Sequence, residues 1–197
     1  SNVTSDQDIN WTAPRDILIG TTATATISTT GAGSDIILTA DSDADSVGGV
    51  QIATMGQLNS ADAVDLEGSD LFADAGGNEA VQIDSNGATA QVIAGGNVDI
   101  DTGANAPATS DIEIDGRISA TGSAVTVAID AVNSVTFGAD GDIILSGGGA
   151  SLVHVVADQA GATTGVITMA DGALIDADDG QVEIIANSTV TIGEIQT

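Results

Sequence analysis

The feature that most constrains the fold is a repeat of about 31 residues, because self-similarity at a fixed period is the signature of a solenoid. Apolar triplets recur at this step in one column of the repeat, and glycines recur at the same step in a second column. In a solenoid, each repeat buries its apolar face only by stacking on a neighbour. The apolar triplets that define the period are Val50–Ile52, Val81–Ile83, Ile112–Ile114, Ile143–Leu145 and Leu174–Asp176, and the glycines are Gly56, Gly87, Gly149 and Gly180.

Within each repeat, apolar and polar residues alternate at period two, as in Val98–Asp101 and Ala124–Ile129. This alternation predicts strands with one buried face. In the clearest repeat we predict strands over 112–120, 124–131 and 134–139, separated by turns of Gly, Asn, Asp and Ser. No helical pattern of the length needed for a βαβ unit separates them. The fold predicted is an all-β, right-handed parallel β-helix of about six coils with three strands per coil.

The repeat also suggests how the chain is divided. Residues 17–197 follow the lattice and form the β-solenoid domain, whereas residues 1–16 do not and are expected as an N-terminal extension or end plug. Trp11, the only tryptophan, lies in that segment. Phe72 and Phe137 are expected in the core. Residues Gln57–Asp74 depart most from regular alternation and are expected as a loop.

Composition excludes several classes of function. The chain has 29 acidic and 2 basic residues and a net charge of −27, so its field repels nucleic acid and anionic membranes. No apolar stretch is long enough for membrane insertion as a helix. Cysteine is absent, which removes disulfides and thiolate metal sites. Hydrophobic residues nevertheless reach 42%, which favours a folded chain over a disordered one.

Acidic residues recur at the predicted coil corners and form candidate cation ladders. Asp140 and Asp171 share one repeat column with Asn78, and Asp111 and Asp142 share another. Carboxylates stacked about 4.8 Å apart repel by roughly 0.9 kcal/mol in water. A ladder of hard oxygens would therefore suit Ca²⁺. The alternative is a solvated turn in which Asp simply suits the backbone.

Two further acidic patterns belong to this group. Asp84 and Asp115 share a column directly after an apolar triplet. The alternating carboxylates Asp41, Asp43 and Asp45 resemble the start of a calcium loop. The sixth and twelfth positions of that loop lack the Gly and Glu of an EF-hand, so the segment predicts at most a weak calcium site.

Motifs with catalytic resemblance are better explained by the lattice. Asp101–Ala104 reads Asp-Thr-Gly-Ala, like an aspartic-protease tetrapeptide, but that chemistry needs a second copy of the motif. His154 is the only histidine, and no Gly-x-Ser-x-Gly elbow accompanies it. Two arginines and three aromatic residues make a poor platform for glycans. We therefore predict no catalytic residues.

Two segments carry a resemblance to a known family. Gly141–Gly148 reads GDIILSGG and Ser34–Asp41 reads SDIILTAD. These strings resemble those of filamentous haemagglutinin-like adhesins and related β-strand-repeat surface proteins of bacteria. The resemblance implies a right-handed parallel β-helix that works in adhesion, matrix or filament formation outside the cell.

The function expected is that of a non-enzymatic structural or adhesive module, secreted or at the cell surface. Open solenoid ends would let copies self-associate head to tail into a homo-oligomer or filament, with Ca²⁺ as a possible stabiliser. A glycan or a cell-surface receptor is the other partner expected. The alternatives are a β-helix carbohydrate-active enzyme, a receptor-binding adhesin tip, and an acidic protein adapted to high salt.

Overall fold

A computed structural model of the chain describes residues 1–71, 78–87, 89–158 and 165–197. It confirms an all-β parallel solenoid of about six turns. The strands are β1 (Asn2–Ser5), β2 (Ile9–Thr12), β3 (Ile17–Ile19), β4 (Ala25–Thr29), β5 (Ile36–Thr39), β6 (Val50–Ile52), β7 (Gly56–Ser60), β8 (Val64–Gly68), β9 (Glu79–Ile83), β10 (Ala90–Ala94), β11 (Val98–Thr102), β12 (Asp111–Ile114), β13 (Arg117–Ala120), β14 (Thr126–Ala131), β15 (Val135–Phe137), β16 (Ile143–Leu145), β17 (Leu152–Ala157), β18 (Ile167–Met169), β19 (Leu174–Asp176), β20 (Gln181–Ala186), β21 (Val190–Thr191) and β22 (Glu194–Gln196).

The strands form three sheets that the chain visits in a fixed order. Among the described residues, the first sheet is 8-stranded and runs from β1 through every third strand to β22. The second is 7-stranded, from β2 to β20, and the third is 7-stranded, from β3 to β21. Every pairing between these strands is parallel, which follows because each coil crosses the three sheets in the same direction before the next coil begins.

The sequence repeat holds over only part of the solenoid. Strands β6, β9 and β12 keep a step of 31 residues in the third sheet. After Ile112 the step changes, because Ile112 pairs next with Val135, while Ile143 pairs with Ile118 in the first sheet. The five-triplet column is therefore wrong beyond Ile112. Corner loops of unequal length absorb the difference, and the average spacing is about 29 residues.

The clearest predicted repeat is confirmed at two of its three strands. The predicted strand 124–131 appears as Thr126–Ala131, and 134–139 appears as Val135–Phe137. The predicted strand 112–120 is instead broken at Asp115 and Gly116 into β12 and β13, which belong to the third and first sheets. A Cβ at Gly116 would lie 2.5 Å from the carbonyl oxygen of Asp84 in the previous coil. The glycine thus allows one coil corner to rest on the other.

The core is a set of apolar columns inside the three sheets. Burial alternates along β14 and β17, with every second residue buried. Val127, Ile129 and Phe137 are each 0% exposed. Phe137 is thus confirmed as a large core residue, whereas Phe72 lies outside the described residues.

Glycines at the corner between the first and second sheets let successive turns stack closely. A Cβ at Gly95, Gly122 or Gly147 would lie 2.2, 2.2 or 2.1 Å from a carbonyl oxygen of the coil before it. No side chain fits at those distances. The glycine column expected from the sequence is wrong, since Gly56 lies within β7 of the first sheet and Gly180 precedes β20 of the second.

The remaining segment predictions concern the first coil and the expected loop. Residues 1–16 contain β1 and β2, which pair with β4 and β5 and add one strand each to two sheets. Trp11 pairs with Leu38 and is 38% exposed. The expected loop Gln57–Asp74 instead holds most of β7 and all of β8, and its residues 72–74 lie outside the described residues. Among the described residues, no helix has the length and apolar character to cross a membrane.

Candidate functional site

The predicted ladder of Asp111 with Asp142 is not formed, because the two residues belong to different sheets. Asp111 opens β12 of the third sheet, and Asp142 directly precedes β16 of the first. The Asp111 carboxylate accepts hydrogen bonds from Asn133 Nδ2 at 2.7 Å and from the Ser134 N–H at 2.9 Å. Burial nevertheless raises the pKa of Asp111, and these hydrogen bonds counteract the rise. Asp111 therefore fastens a coil corner.

Asp142 is paired with a guanidinium group of the chain itself. Arg117 Nη2 and Nε donate to Asp142 Oδ2 at 2.7 Å and 3.1 Å. The Asp142 side chain is 11% exposed and that of Arg117 is 32% exposed. The other carboxylate oxygen accepts the Leu174 N–H at 3.1 Å from the next coil. The charge of Asp142 is thus balanced without a metal ion.

Asp140 and Asp171 follow strands that are register partners, since Phe137 pairs with Met169. Asp140 Oδ2 accepts a hydrogen bond from Ser85 Oγ at 2.6 Å, and Asp171 is exposed. Asp140 lies three residues after Phe137 and Asp171 two residues after Met169, so the register offsets the two carboxylates by one position. Within the described part of the chain, only the loop of Asp41, Asp43 and Asp45 brings three carboxylates within 4.8 Å of one another.

The loop that follows β5, here called the Asp41 loop (residues 41–46), is built around one buried carboxylate. Asp41 is 7% exposed, and its Oδ2 accepts from Ser69 Oγ at 2.7 Å. Its Oδ1 accepts the Asp45 N–H at 2.9 Å, which folds the loop back over it. Asp43 and Asp45 are exposed. Each oxygen of Asp41 keeps a free lone pair, so the three carboxylates suit the oxygen coordination of Ca²⁺.

A second acidic group lies on the outer surface of the second sheet and is here called the acidic face (Asp65, Glu67, Asp99, Asp101 and Asp130). Register places Asp99 beside Asp65, and Asp101 between Glu67 and Asp130. All five point outward because the apolar residues that alternate with them point into the core. Adjacent strands in a sheet lie about 4.8 Å apart, so each carboxylate has like-charged neighbours at that spacing.

The crowding of the acidic face perturbs its titration. Burial, followed by the charges of Asp130, Asp99, Glu67 and Asp65, raises the pKa of Asp101 to about 7. Burial and then Asp99 raise the pKa of Asp65. Burial also raises the pKa of Asp130, although the nearby His154 lowers it. Near neutral pH the face therefore holds a proton that a cation could replace.

Four members of the acidic face, all except Asp130, line a shallow concavity of about 530 Å³ that extends to the turn after β11. Asp101 Oδ1 is a buried oxygen that accepts no hydrogen bond within the described part of the chain. His154 closes one end of the face. Its Nδ1 lies 3.1 Å from Glu183 Oε2, and its Nε2 lies 3.9 Å from Asp130 Oδ1.

The acidic face was not predicted from the sequence, although a signal for it was present. The segments Val64–Glu67 and Val98–Asp101 both alternate an apolar residue with a carboxylate, which places both carboxylates outside. What the pattern could not show is that β8 and β11 are neighbours. The spacing between these strands differs from the 31-residue period, so their carboxylates fall out of the repeat columns.

Comparison of the chain with protein-family models, with curated proteins and with solved structures gave no match. The acidic face, the Asp41 loop and the two ends of the solenoid are therefore interpreted from their own chemistry.

Proposed function

We propose that this chain is a non-enzymatic structural module of a secreted or cell-surface assembly, in which copies stack end to end along the solenoid axis. Divalent cations at the Asp41 loop would stabilise the assembly. Adhesion would be a property of the resulting filament, with a glycan or a cell-surface receptor as its partner.

The observation that carries this proposal is the exposure of core columns at both ends. The apolar columns are sealed in the middle of the solenoid, and several of them are open in a terminal strand, whereas Ile9 of β2 and Ile17 and Ile19 of β3 stay buried. Val3 and Ile195 lie at the two ends of one apolar column of the first sheet, and each side chain is 38% exposed. The exposed column ends are Val3, Trp11, Val190 and Ile195, and their buried register partners are Ile27, Leu38, Ile167 and Ile175.

The two ends are complementary because they belong to the same lattice. Strands β1, β2 and β3 present one edge of the three sheets, and β20, β21 and β22 present the opposite edge. An open edge with unpaired N–H and C=O groups is a template for another strand of the same direction. A head-to-tail contact of this type does not close on itself, so it propagates into a filament.

Charge restricts how copies can approach. With a net charge of −27 per chain, lateral contacts between the acidic sides are repulsive, and even axial contacts need counter-ions. The Debye length is about 8 Å at physiological salt. Salt therefore screens the repulsion between charges that are further apart than this, but it screens charges that are close together at a contact only weakly. Bound divalent cations would reduce the repulsion where it is strongest.

Sedimentation velocity and electron microscopy of the purified chain with Ca²⁺ and with chelator test the proposal. We expect axial rods of increasing length as protein concentration rises with Ca²⁺, and shorter species with chelator. A single sharp monomer boundary under both conditions, at high protein concentration, would overturn the stacking.

The last coil offers a matched pair of variants. Ile195→Asp places a charge in the open core column, whereas Ile185→Asp places one on the outer surface beside Val156. The two side chains have similar exposure, 38% and 43%. We expect Ile195→Asp to abolish rods and Ile185→Asp to preserve them. Equal loss in both variants would mean that charge alone, and not the core column, controls assembly.

The acidic face favours a second candidate, a carbohydrate-active enzyme on the same fold. A carboxylic acid with a pKa of about 7 beside further carboxylates has the properties of a general acid. Arg117, which would suit an anionic sugar, is instead paired with Asp142 before β16 of the first sheet. Hydrolysis or elimination on a panel of glycans, lost in Asp101→Asn, would support this candidate over the structural one.

A further inference from the structure

The loop between β9 and β10 carries the one Asn-Gly pair of the sequence, Asn86 followed by Gly87. In such a pair the backbone nitrogen of the glycine attacks the asparagine side chain readily, because glycine has no side chain to shield that nitrogen. Asn86 is exposed. Gly87 has φ +64, and a Cβ built on it meets no atom of the described residues within 4 Å. The pair therefore lies in an open turn.

Two hydrogen bonds in series connect the nitrogen of Gly87 to a carboxylate. The Gly87 N–H donates to Ser85 Oγ at 3.1 Å. The Ser85 hydroxyl in turn donates to Asp140 Oδ2 at 2.6 Å. A hydrogen bond of that length to a carboxylate is charge-assisted, and it makes the hydroxyl oxygen a stronger acceptor for the Gly87 proton. The carboxylate is thus placed to act as a base, through the hydroxyl, on the nitrogen that must lose its proton.

The solenoid brings these groups together from separate coils. Ser85 follows β9 and Asp140 follows β15, and β12 lies between these two strands in the third sheet. The corner after β12 consists only of Asp115 and Gly116, and the longer loop after β9 reaches across it to Asp140. The contact therefore depends on the winding of the chain, and a short peptide that contains Asn86 and Gly87 lacks it.

We propose that Asn86 and Gly87 form a self-modification site, at which the folded chain converts Asn86 to aspartate and isoaspartate without an enzyme. Ser85 Oγ accepts the proton of the attacking nitrogen. Asp140 is a positioning residue that acts through Ser85. The proposal does not depend on the end-to-end stacking of copies.

The reaction consumes one water molecule and releases one ammonia. The Gly87 N–H proton moves to Ser85 Oγ as the hydroxyl proton moves to Asp140. The nitrogen forms a bond with Cγ of Asn86, the Cγ–Nδ2 bond breaks, and Nδ2 leaves as ammonia with the proton returned from Asp140. Water then opens the cyclic imide at either carbonyl. Cleavage between the nitrogen and Cγ gives aspartate, and cleavage at the other carbonyl gives isoaspartate, whose main chain runs through Cβ and Cγ.

Asn97 offers a contrast within the same chain. It is exposed like Asn86, but its Oδ1 accepts the Thr126 N–H at 2.8 Å, which fixes the side chain. Val98 follows it, opens β11 and is only 1% exposed. A β-branched residue packed in the core shields the backbone nitrogen that would have to attack. Asn97 is therefore expected to stay unmodified under conditions in which Asn86 converts.

Conversion changes the charge of this corner. It adds one carboxylate close to Asp140, where burial and then the charge of Asp140 already raise the pKa of Asp115. The new carboxylate increases the repulsion among these groups. Isoaspartate also lengthens the main chain of the loop. The converted chain is thus a more acidic form of the protein, which accumulates with time.

Peptide mapping by mass spectrometry tests the site, after incubation of the purified chain at neutral pH in water enriched in heavy oxygen. Each conversion takes one oxygen atom from the solvent, so the label separates it from conversion that occurred before purification. We expect position 86 to convert several-fold faster in the folded chain than in a synthetic peptide of residues 82–90, and Asn97 to remain unlabelled. Conversion at position 86 that is no faster than in the peptide would overturn the proposal.

Variants of the two supporting residues test the mechanism. Ser85→Ala and Asp140→Ala should each slow the conversion several-fold, and Ser85→Thr, which keeps a hydroxyl, should restore much of the rate. Alanine is used at position 140 because asparagine there would create a second Asn-Gly pair with Gly141. Asp171→Ala removes an exposed carboxylate at the corresponding corner of the next coil and should leave the rate unchanged.

The direction of the change separates chemistry from a merely structural role. If Ser85 and Asp140 only held the loop in place, their removal would free the loop and speed up the attack. Conversion that is unchanged or faster in either alanine variant would therefore overturn the proposed role of the hydroxyl and carboxylate. Circular dichroism checks that each variant keeps its strands.

Discussion

Asp101 in β11 and Asp130 in β14 are register partners on neighbouring strands, so their partly buried carboxylates lie side by side on the outer face of the sheet about one strand spacing, 4.8 Å, apart. Burial and mutual repulsion raise the pKa of Asp101 to about 7, and burial also raises that of Asp130. Repulsion between carboxylates on the outer surface of the second sheet therefore destabilises the folded state near neutral pH. Binding of protons or cations reduces this repulsion.

The first prediction concerns stability and pH at Asp101. Its folded pKa lies above its unfolded value, so the folded state binds more protons and the free energy of unfolding falls as pH rises between about 4 and 7. We expect Asp101→Asn to reduce this slope, because the raised pKa values of Asp65 and Asp130 maintain part of it, and to stabilise the protein by about 1–2 kcal/mol above pH 7, after allowance for solvent screening. Urea unfolding across this pH range measures it. Asp179→Asn removes an exposed carboxylate outside the acidic face and is the matched charge control, which should not give this stabilisation.

The second prediction concerns calcium at the Asp41 loop. We expect Ca²⁺ to raise the free energy of unfolding of the unaltered chain by about 1–3 kcal/mol, as binding to the folded state alone requires. The double variant Asp43→Asn, Asp45→Asn should lose this gain in thermal denaturation with Ca²⁺ and with chelator. Asp171→Asn with Asp179→Asn changes the charge equally and should keep it. Equal stabilisation by molar KCl in all variants would indicate salt adaptation and would contradict a calcium site.

The third prediction concerns the corner glycines. Ala at Gly122 would place its Cβ 2.2 Å from the Gly95 carbonyl oxygen, which forces two coils apart. We expect Gly122→Ala to destabilise by about 2–4 kcal/mol, as expected for overpacking with lost hydrogen bonds. Gly148 has φ +67 but open space around a Cβ, so Gly148→Ala should cost only about 1–2 kcal/mol for its left-handed backbone. Chemical denaturation compares the two. Equal losses would show that the corners tolerate separation.

The fourth prediction concerns the ion pair between coils. Arg117→Met leaves the buried carboxylate of Asp142 without its guanidinium, and we expect a loss of about 1–3 kcal/mol. Asp142→Asn keeps an oxygen for the Leu174 N–H and should cost less. A double-mutant cycle should give a coupling energy of about 0.5–2 kcal/mol at low salt. Strict additivity of the two single losses would contradict a direct interaction.

Several elements could be predicted because their signals are local. Period-two alternation correctly located the strands at 124–131 and 134–139, and the buried Phe137 followed from it. The break at Gly116 was missed, because a solenoid corner of two residues, here Asp115 and Gly116, hardly interrupts the alternation. Local pattern therefore identifies strands better than it identifies the sheets to which they belong.

The candidate cation sites show the same division. The Asp41 loop is contiguous in sequence, so its three carboxylates could be proposed from their spacing. The ladder of Asp111 with Asp142 was wrong because it assumed a constant coil length. The acidic face was not predicted because its members come from β8, β11 and β14. The number of residues between paired positions differs from one pair of these strands to the next, so a fixed period does not show that they are neighbours.

Alternation, glycine-rich turns and repetition thus specify a stack of parallel strands with an apolar interior and an acidic exterior. They do so because successive side chains in a strand point to opposite faces, so the alternation along the strand decides which residues face the interior. Which carboxylates become neighbours and which glycines lie at the corners are decided only when the chain is wound into coils. Corner length changes the partner of every later strand while leaving the local pattern intact, so those relationships exist only in three dimensions.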